Sequence, residues 1–256
     1  AFYQLCEMGD VDGIGYVLEH MDPPNYVRTS SEQPNVTYQK ELIEFKNEKE
    51  NHFPLMCALV KQNESLANFL LSYHLKIYTQ YLFECDVGGK NSLMLASQFG
   101  LHEIVQQLVP LYKDKRKLTK SDNYEKDALM WASQGGFRQV VNILLPHFKE
   151  EGKITACASN GMNNIMLAAK YGHNDVLQIL LPYFDDEQIT AGNNNGVTAL
   201  YFASQNGHYE VVKTLLPYFK KEGKIECKKW NCKTALDQAR QNNHENIVQL
   251  LLNSTS

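Results

Sequence analysis

Long apolar runs are missing from this sequence. No stretch approaches the roughly 20 apolar residues that a membrane-spanning helix needs, so insertion of that kind is not expected. Ala1–Glu7 lacks a basic segment followed by an apolar one and does not read as a signal peptide. A strong charge of either sign is absent too. Against 25 Lys and Arg stand 29 Asp and Glu, a formal net charge of −4. A domain whose main partner is the nucleic-acid backbone is typically strongly basic, so neither nucleic acid nor a polybasic membrane role is expected.

Motifs that carry chemistry are equally scarce. The sequence has no Gly-x-Gly-x-x-Gly or Walker-type phosphate cradle, no Gly-x-Ser-x-Gly elbow and no protease-like cysteine signature. Its 8 histidines include no His-x3-His pair. Cys227 and Cys232 come closest to a metal pair but lack a second pair, so no metal is expected. Asp185-Asp186-Glu187 reads as a solvated loop rather than a pair of catalytic carboxylates. The 6 cysteines are scattered over the whole length, and a chain of this size needs no disulfide staples. Reduced thiols follow, and with them a cytosolic or nuclear compartment; we expect a cytoplasmic location. The expectation is a protein that is not an enzyme and takes no cofactor.

What is present is a repeat. Asn91 to Gly100, Asp127 to Gly136, Asn163 to Gly172, Thr198 to Gly207 and Thr234 to Asn243 are copies of one segment. Counted between the closing positions 100, 136, 172, 207 and 243, the periods are 36, 36, 35 and 36 residues. Alanine always stands four residues before the closing position, at Ala96, Ala132, Ala168, Ala203 and Ala239. After that position come paired apolar residues, Ile104-Val105, Val140-Val141, Val176-Leu177, Val211-Val212 and Ile247-Val248. A second pair follows four residues later, as at Leu144-Leu145 and Leu215-Leu216, so both pairs share one helical stripe. Each unit therefore reads as two short antiparallel helices. The glycine between them ends the first in a left-handed conformation, and the small alanine lets the two approach closely.

Thr198 to Leu216 reads Thr-x-Leu-x-x-Ala-x-x-x-Gly-His-x-Glu-Val-Val-x-x-Leu-Leu, which resembles the ankyrin repeat. His173, His208 and His244, each directly after the closing position, fit the same family pattern. The resemblance implies an all-α fold, a solenoid of stacked antiparallel helix pairs with about seven repeats. The array would occupy 52–256, with repeats centred near 62, 100, 136, 172, 207 and 243. A worn first repeat is expected at 1–20, and 21–51 is read as an insertion, a loop followed by a short charged helix.

The chain departs from the family pattern at several points. Met94, Met130, Met166, Tyr201 and Asp237 stand where the family carries histidine in the first helix, so methionine packing is expected to replace a polar contact. Each unit also exceeds the usual length of about 33 residues. The extra length follows the second helix, where Pro110, Pro146, Pro182 and Pro217 precede Tyr112, Phe148, Phe184 and Phe219. Two readings of these aromatics stay open: a seal over the extra turn, or a docking stripe.

The resemblance further implies a non-catalytic protein–protein interaction module, an adaptor or scaffold working through a concave face of loop tips and first helices. On that face the partner-binding candidates are Gln98, Phe99, Tyr124, Gln134, Met162, Tyr171, Gln205 and Trp230. The glutamines recur at one exposed phase, either as an amide ladder for a partner's backbone or through shared descent of the repeats. Exposed aromatics supply most binding hot spots. The partner is expected to be another protein. The alternative is a permanent structural subunit of a large assembly, such as a cytoskeletal complex.

Overall fold

A computed structural model describes residues 53–77, 80–112, 115–223 and 234–255, with isolated positions at 8, 10, 12–14 and 225. Most of the expected first repeat, the 21–51 insertion, Cys227, Cys232 and Trp230 lie outside the described residues. Two compact units divide the chain, 1–117 and 118–256.

The described part of the first unit holds two helix pairs. They are α1 (Pro54–Val60) with α2 (Glu64–Ile77), and α3 (Ser92–Gln98) with α4 (His102–Leu108). Pro54 starts α1, where a missing N–H costs nothing. Gln62, φ 55°, takes the left-handed position that closes the first helix of each repeat. Asn63 then begins α2 by accepting from Leu66 N at 2.9 Å. Beyond α4 the chain tightens into a 3-10 turn at Val109–Leu111, which contains Pro110. Tyr112 follows, buried, and donates its hydroxyl to Leu82 O at 3.0 Å. That burial pushes the phenol well above its ordinary pKa.

The described part of the second unit holds four pairs: α5 (Ala128–Gly135) and α6 (Arg138–Glu150), α7 (Asn164–Tyr171) and α8 (Asn174–Leu180), α9 (Ala199–Gln205) and α10 (Tyr209–Lys221), α11 (Ala235–Gln241) and α12 (Glu245–Thr255). First helices pack on first helices, with α7 between α5 and α9, and α9 between α7 and α11. Second helices form the other layer in the same order. Every first helix from α5 on starts at a side-chain cap. Asp127, Asn163, Thr198 and Thr234 accept from the backbone N–H three residues on. The repeated alanines Ala132, Ala168, Ala203 and Ala239 have no exposed surface. Met130 and Met166 are buried as well, in the place expected for packing.

The closing glycines meet two demands at once. Gly136, Gly172 and Gly207 have φ between 74° and 81°, a conformation that costs an L-residue about 1–2 kcal/mol. The next repeat's imidazole also covers each of them. A Cβ on Gly172 would stand 2.6 Å from His208 Nδ1. His173, His208 and His244 use Nε2 to reach the carbonyls of Gln134, Lys170 and Gln205 at 3.0–3.1 Å. A carbonyl only accepts, so Nε2 carries the proton. These histidines lace one repeat to the next. Asn243 takes the left-handed position in the last described pair, φ 59°.

The proline positions resolve the two readings of the aromatics. Phe148, Phe184 and Phe219 are buried beneath the ends of the second helices, so they seal the extra length. The helices end in two ways. Pro146 and Pro217 lie inside continuous helices that run on to Glu150 and Lys221. At Pro182 the chain turns 3-10, and Asp185 opens a separate short helix, Asp186–Thr190. A reciprocal capping box with Gln188 drives that start. The segment Asp185-Asp186-Glu187 is thus a helix start rather than a loop, and Asp186 pairs with Lys221 of α10.

Candidate interaction surface

Between the second helix of one repeat and the first helix of the next, the chain makes a small hairpin. The four described hairpins follow one plan: 86–90 in the first unit, and 122–126, 158–162 and 193–197 in the second. The first residue's N–H donates to the fifth residue's carbonyl at 2.8–3.0 Å in all four. The fourth residue's N–H returns to the first residue's carbonyl, and that fourth residue is left-handed. This is a type I turn closed by a left-handed residue, for which glycine is the usual choice. Gly89, Gly161 and Gly196 fill the position, whereas Glu125 takes it with a side chain at φ 58°. Asp86, Asp122 and Asn193 tighten their turns by accepting the fifth residue's N–H at 2.8–2.9 Å.

In the second unit the hairpin tips are joined to one another. Ser159 N donates to Tyr124 O at 3.0 Å, and Asn194 N to Asn160 O at 3.1 Å. Asn194 Nδ2 adds a bond to Ser159 O at 2.9 Å. Three successive tips are therefore fixed by backbone bonds, which leaves little conformational freedom to lose on contact with a partner.

The candidate side chains fall into different surroundings. Tyr124 is 63% exposed at its tip, and Tyr171 is 43% exposed at the end of α7. Gln98 and Gln134 are half-buried and accept from Lys90 Nζ and Lys126 Nζ, both at 2.7 Å. Their amide oxygens are therefore engaged within their own repeats. Phe99 and Gln205 are half-buried. Met162 is only 4% exposed, so its expected place on the contact surface needs correction. It is the fifth residue of its hairpin, the position of Lys126. An ammonium there reaches for an amide, whereas a thioether packs inward. Trp230 lies outside the described residues.

Trp131 was not among the candidates, although it belongs to the surface. It takes the position of Leu95 and Leu167 but is only half-buried. Its Nε1 donates to Asp122 Oδ2 at 3.0 Å, and Lys126 Nζ lies 4.4 Å from its ring centroid, a cation–π contact. With Tyr124, Lys126, Ala158, Ser159 and Asn160 it lines a notch of about 340 Å³ between two tips. Tryptophan at a leucine phase was the signal in the sequence. One repeat along, Lys170 Nζ stands 5.5 Å from the Tyr171 and Phe202 ring centroids.

The electrostatics beneath these tips are unusual at one point. Asp127, the buried cap of α5, has its pKa raised to about 7, chiefly by burial. The Met130 and Leu129 N–H groups and Lys153 oppose that rise, and Asp122 adds to it. Among the described residues no group of three or more His, Cys, Asp or Glu is placed to hold a metal ion. No helix among them is long and apolar enough to cross a membrane.

The ankyrin-repeat family model matches in three overlapping copies, at residues 74–156, 147–228 and 165–256. These run without a gap from 74 to 256, well over half of the chain. Comparison with curated proteins gives no match. Ankyrin repeats are in general protein–protein interaction modules, and the family is typically non-catalytic. Capped helix pairs, left-handed closing glycines, bridging histidines and the family match agree: the chain belongs to the ankyrin-repeat family.

Proposed function

We propose that this chain is a non-catalytic adaptor or scaffold in the cytoplasm. It grips a partner protein with the hairpin tips and first helices of 118–256, the surface that is concave in ankyrin proteins. The observation that carries the reading is the bonded row of tips, Tyr124 O to Ser159 N and Asn160 O to Asn194 N. A loop row serving only as a connection needs no such lacing. A docking surface benefits from it, because rigid loops present side chains without an ordering cost. Tyr124 and Tyr171 are large aromatics exposed on this rigid frame, the kind of residue that anchors interfaces.

Crosslinking capture from the native cell tests the proposal. The unaltered chain should retain a specific partner, and Tyr124→Ala with Tyr171→Ala should lose it, weakening binding by about 2 kcal/mol or more. Circular dichroism should show unchanged helix content in the variant. Capture that is indifferent to both changes would move the contact surface elsewhere on the chain.

A further inference from the structure

The repeats place a lysine beside their first helices in two ways. In two of them the fifth hairpin residue is lysine, and Lys90 and Lys126 donate to the amides of Gln98 and Gln134. In the next repeat both positions change. The hairpin residue becomes the buried Met162, and Lys170 takes the place of the glutamine. This exchange keeps one ammonium in the repeat but removes the amide oxygen that would accept from it. Packing demands no lysine at either position, since the following repeat carries Val197 and Gln205 there. Lys170 is half-buried, and its ammonium stands 5.5 Å from the Tyr171 and Phe202 ring centroids. Among the described residues that ammonium has no hydrogen-bond or ion-pair partner.

We infer that Lys170 receives the carboxylate of an aspartate or glutamate side chain on the partner protein. The inference rests on the interaction-module reading and names the partner's chemistry. The hairpins and first helices at 158–171 and 193–205 hold one charged side chain, Lys170. A carboxylate arriving there meets a cation and no acidic group of those segments. One ammonium matches one monoanion; a phosphate dianion calls for a second cation, and the same segments offer none. Charge-assisted bonds are the stronger ones, so this ammonium favours a carboxylate over a neutral amide. The two rings hold it near one place by cation–π attraction, which limits the side-chain freedom lost on binding. The backbone beneath is pinned as well, because Lys170 O accepts from Asn206 Nδ2 at 2.8 Å and His208 Nε2 at 3.1 Å. Tyr171, exposed beside the ammonium, offers its ring to the methylenes of the incoming side chain.

Nuclear magnetic resonance on the full chain tests this, because it reads weak binding at a chosen residue. The probes are a blocked Leu-Glu-Leu tripeptide and its glutamine and phosphoserine counterparts. The glutamate peptide should shift the Lys170 and Tyr171 signals and bind about tenfold more tightly than the glutamine peptide, a difference that shrinks in high salt. The phosphoserine peptide should bind no more tightly than the glutamate one. Lys170→Gln, which copies Gln134 and Gln205 and so suits the fold, should abolish the preference as read at Tyr171. Lys213→Gln, at an exposed lysine of α10, should keep it. Equal binding of the glutamate and glutamine peptides, no binding of either, or shifts confined to other residues would overturn the inference. So would tighter phosphoserine binding, a preference that survives Lys170→Gln, or one that is lost in Lys213→Gln. If the native partner is captured, and lost in Tyr124→Ala with Tyr171→Ala, while the peptides bind alike, only the acidic chemistry falls. Selective peptide binding without any captured partner would instead count against the module reading.

Discussion

Asp127 stands where four other repeats cap their first helix with Asn91, Asn163, Thr198 or Thr234, all uncharged. A carboxylate at a helix N-terminus is ordinarily favourable. Here burial outweighs the N–H donors and the Lys153 charge, and the pKa rises to about 7 from 3.8. The folded chain therefore holds this proton more tightly than the unfolded chain. Stability from this group is greatest below about pH 4, falls as pH rises from 4 to 7, and stays at its lower level above 7. Asp127→Asn keeps the oxygen that accepts from Met130 N but cannot ionise. It should raise stability at pH 8 by roughly 1–4 kcal/mol and change it little at pH 4. Urea unfolding at the two pH values checks this; an equal effect at both would mean the carboxyl does not titrate as stated.

At the scale of the element, the ends of the second helices decide how the lengthened repeat closes. Phe148 is fully buried at the end of α6, under the turn that returns through Gly152 to the buried Ile154. Removing its ring should leave a cavity costing about 3–5 kcal/mol in Phe148→Ala, read by chemical unfolding. A loss under about 1 kcal/mol would show that the aromatic does not seal the turn. The helix pairs themselves were legible in the sequence, because alanine at the helix contact, glycine under an imidazole and paired aliphatics recur wherever identical packing recurs. The two kinds of helix end were legible only in part. Asp185 and Gln188 form a capping box that Lys149 and Gly152 of the earlier repeat cannot, and that local chemistry overrides the shared proline phase. On the surface, burial depends on what each side chain can reach. Lys126 and Met162 share a position yet diverge, one toward an amide oxygen and the other into the core. Trp131 stayed hidden among leucines for the same reason: a repeat phase reports backbone placement, not how much of a larger ring emerges.

Across the whole molecule, a repeat stack communicates through neighbouring interfaces. Within 118–256 neighbouring helix pairs rest on one another, so damage in one repeat should fade with distance rather than collapse everything together. Ala168 offers the cleanest test. It sits with no exposed surface in α7, the first helix packed between α5 and α9. Aspartate there buries a charge where helices touch, at a cost of about 3–5 kcal/mol. Hydrogen exchange of Ala168→Asp should show protection lost most in α7, then in α5 and α9. The α11 and α12 pair, one interface farther on, should lose less. The His208 bond to Lys170 O should fail along with α7, so exchange at the start of α10 should quicken before that at its end. A neutral substitution would mean that α7 is not clamped between its neighbours. Uniform loss throughout 118–256 would mean that the unit unfolds as one block, and the nearest-neighbour description would then have to be abandoned.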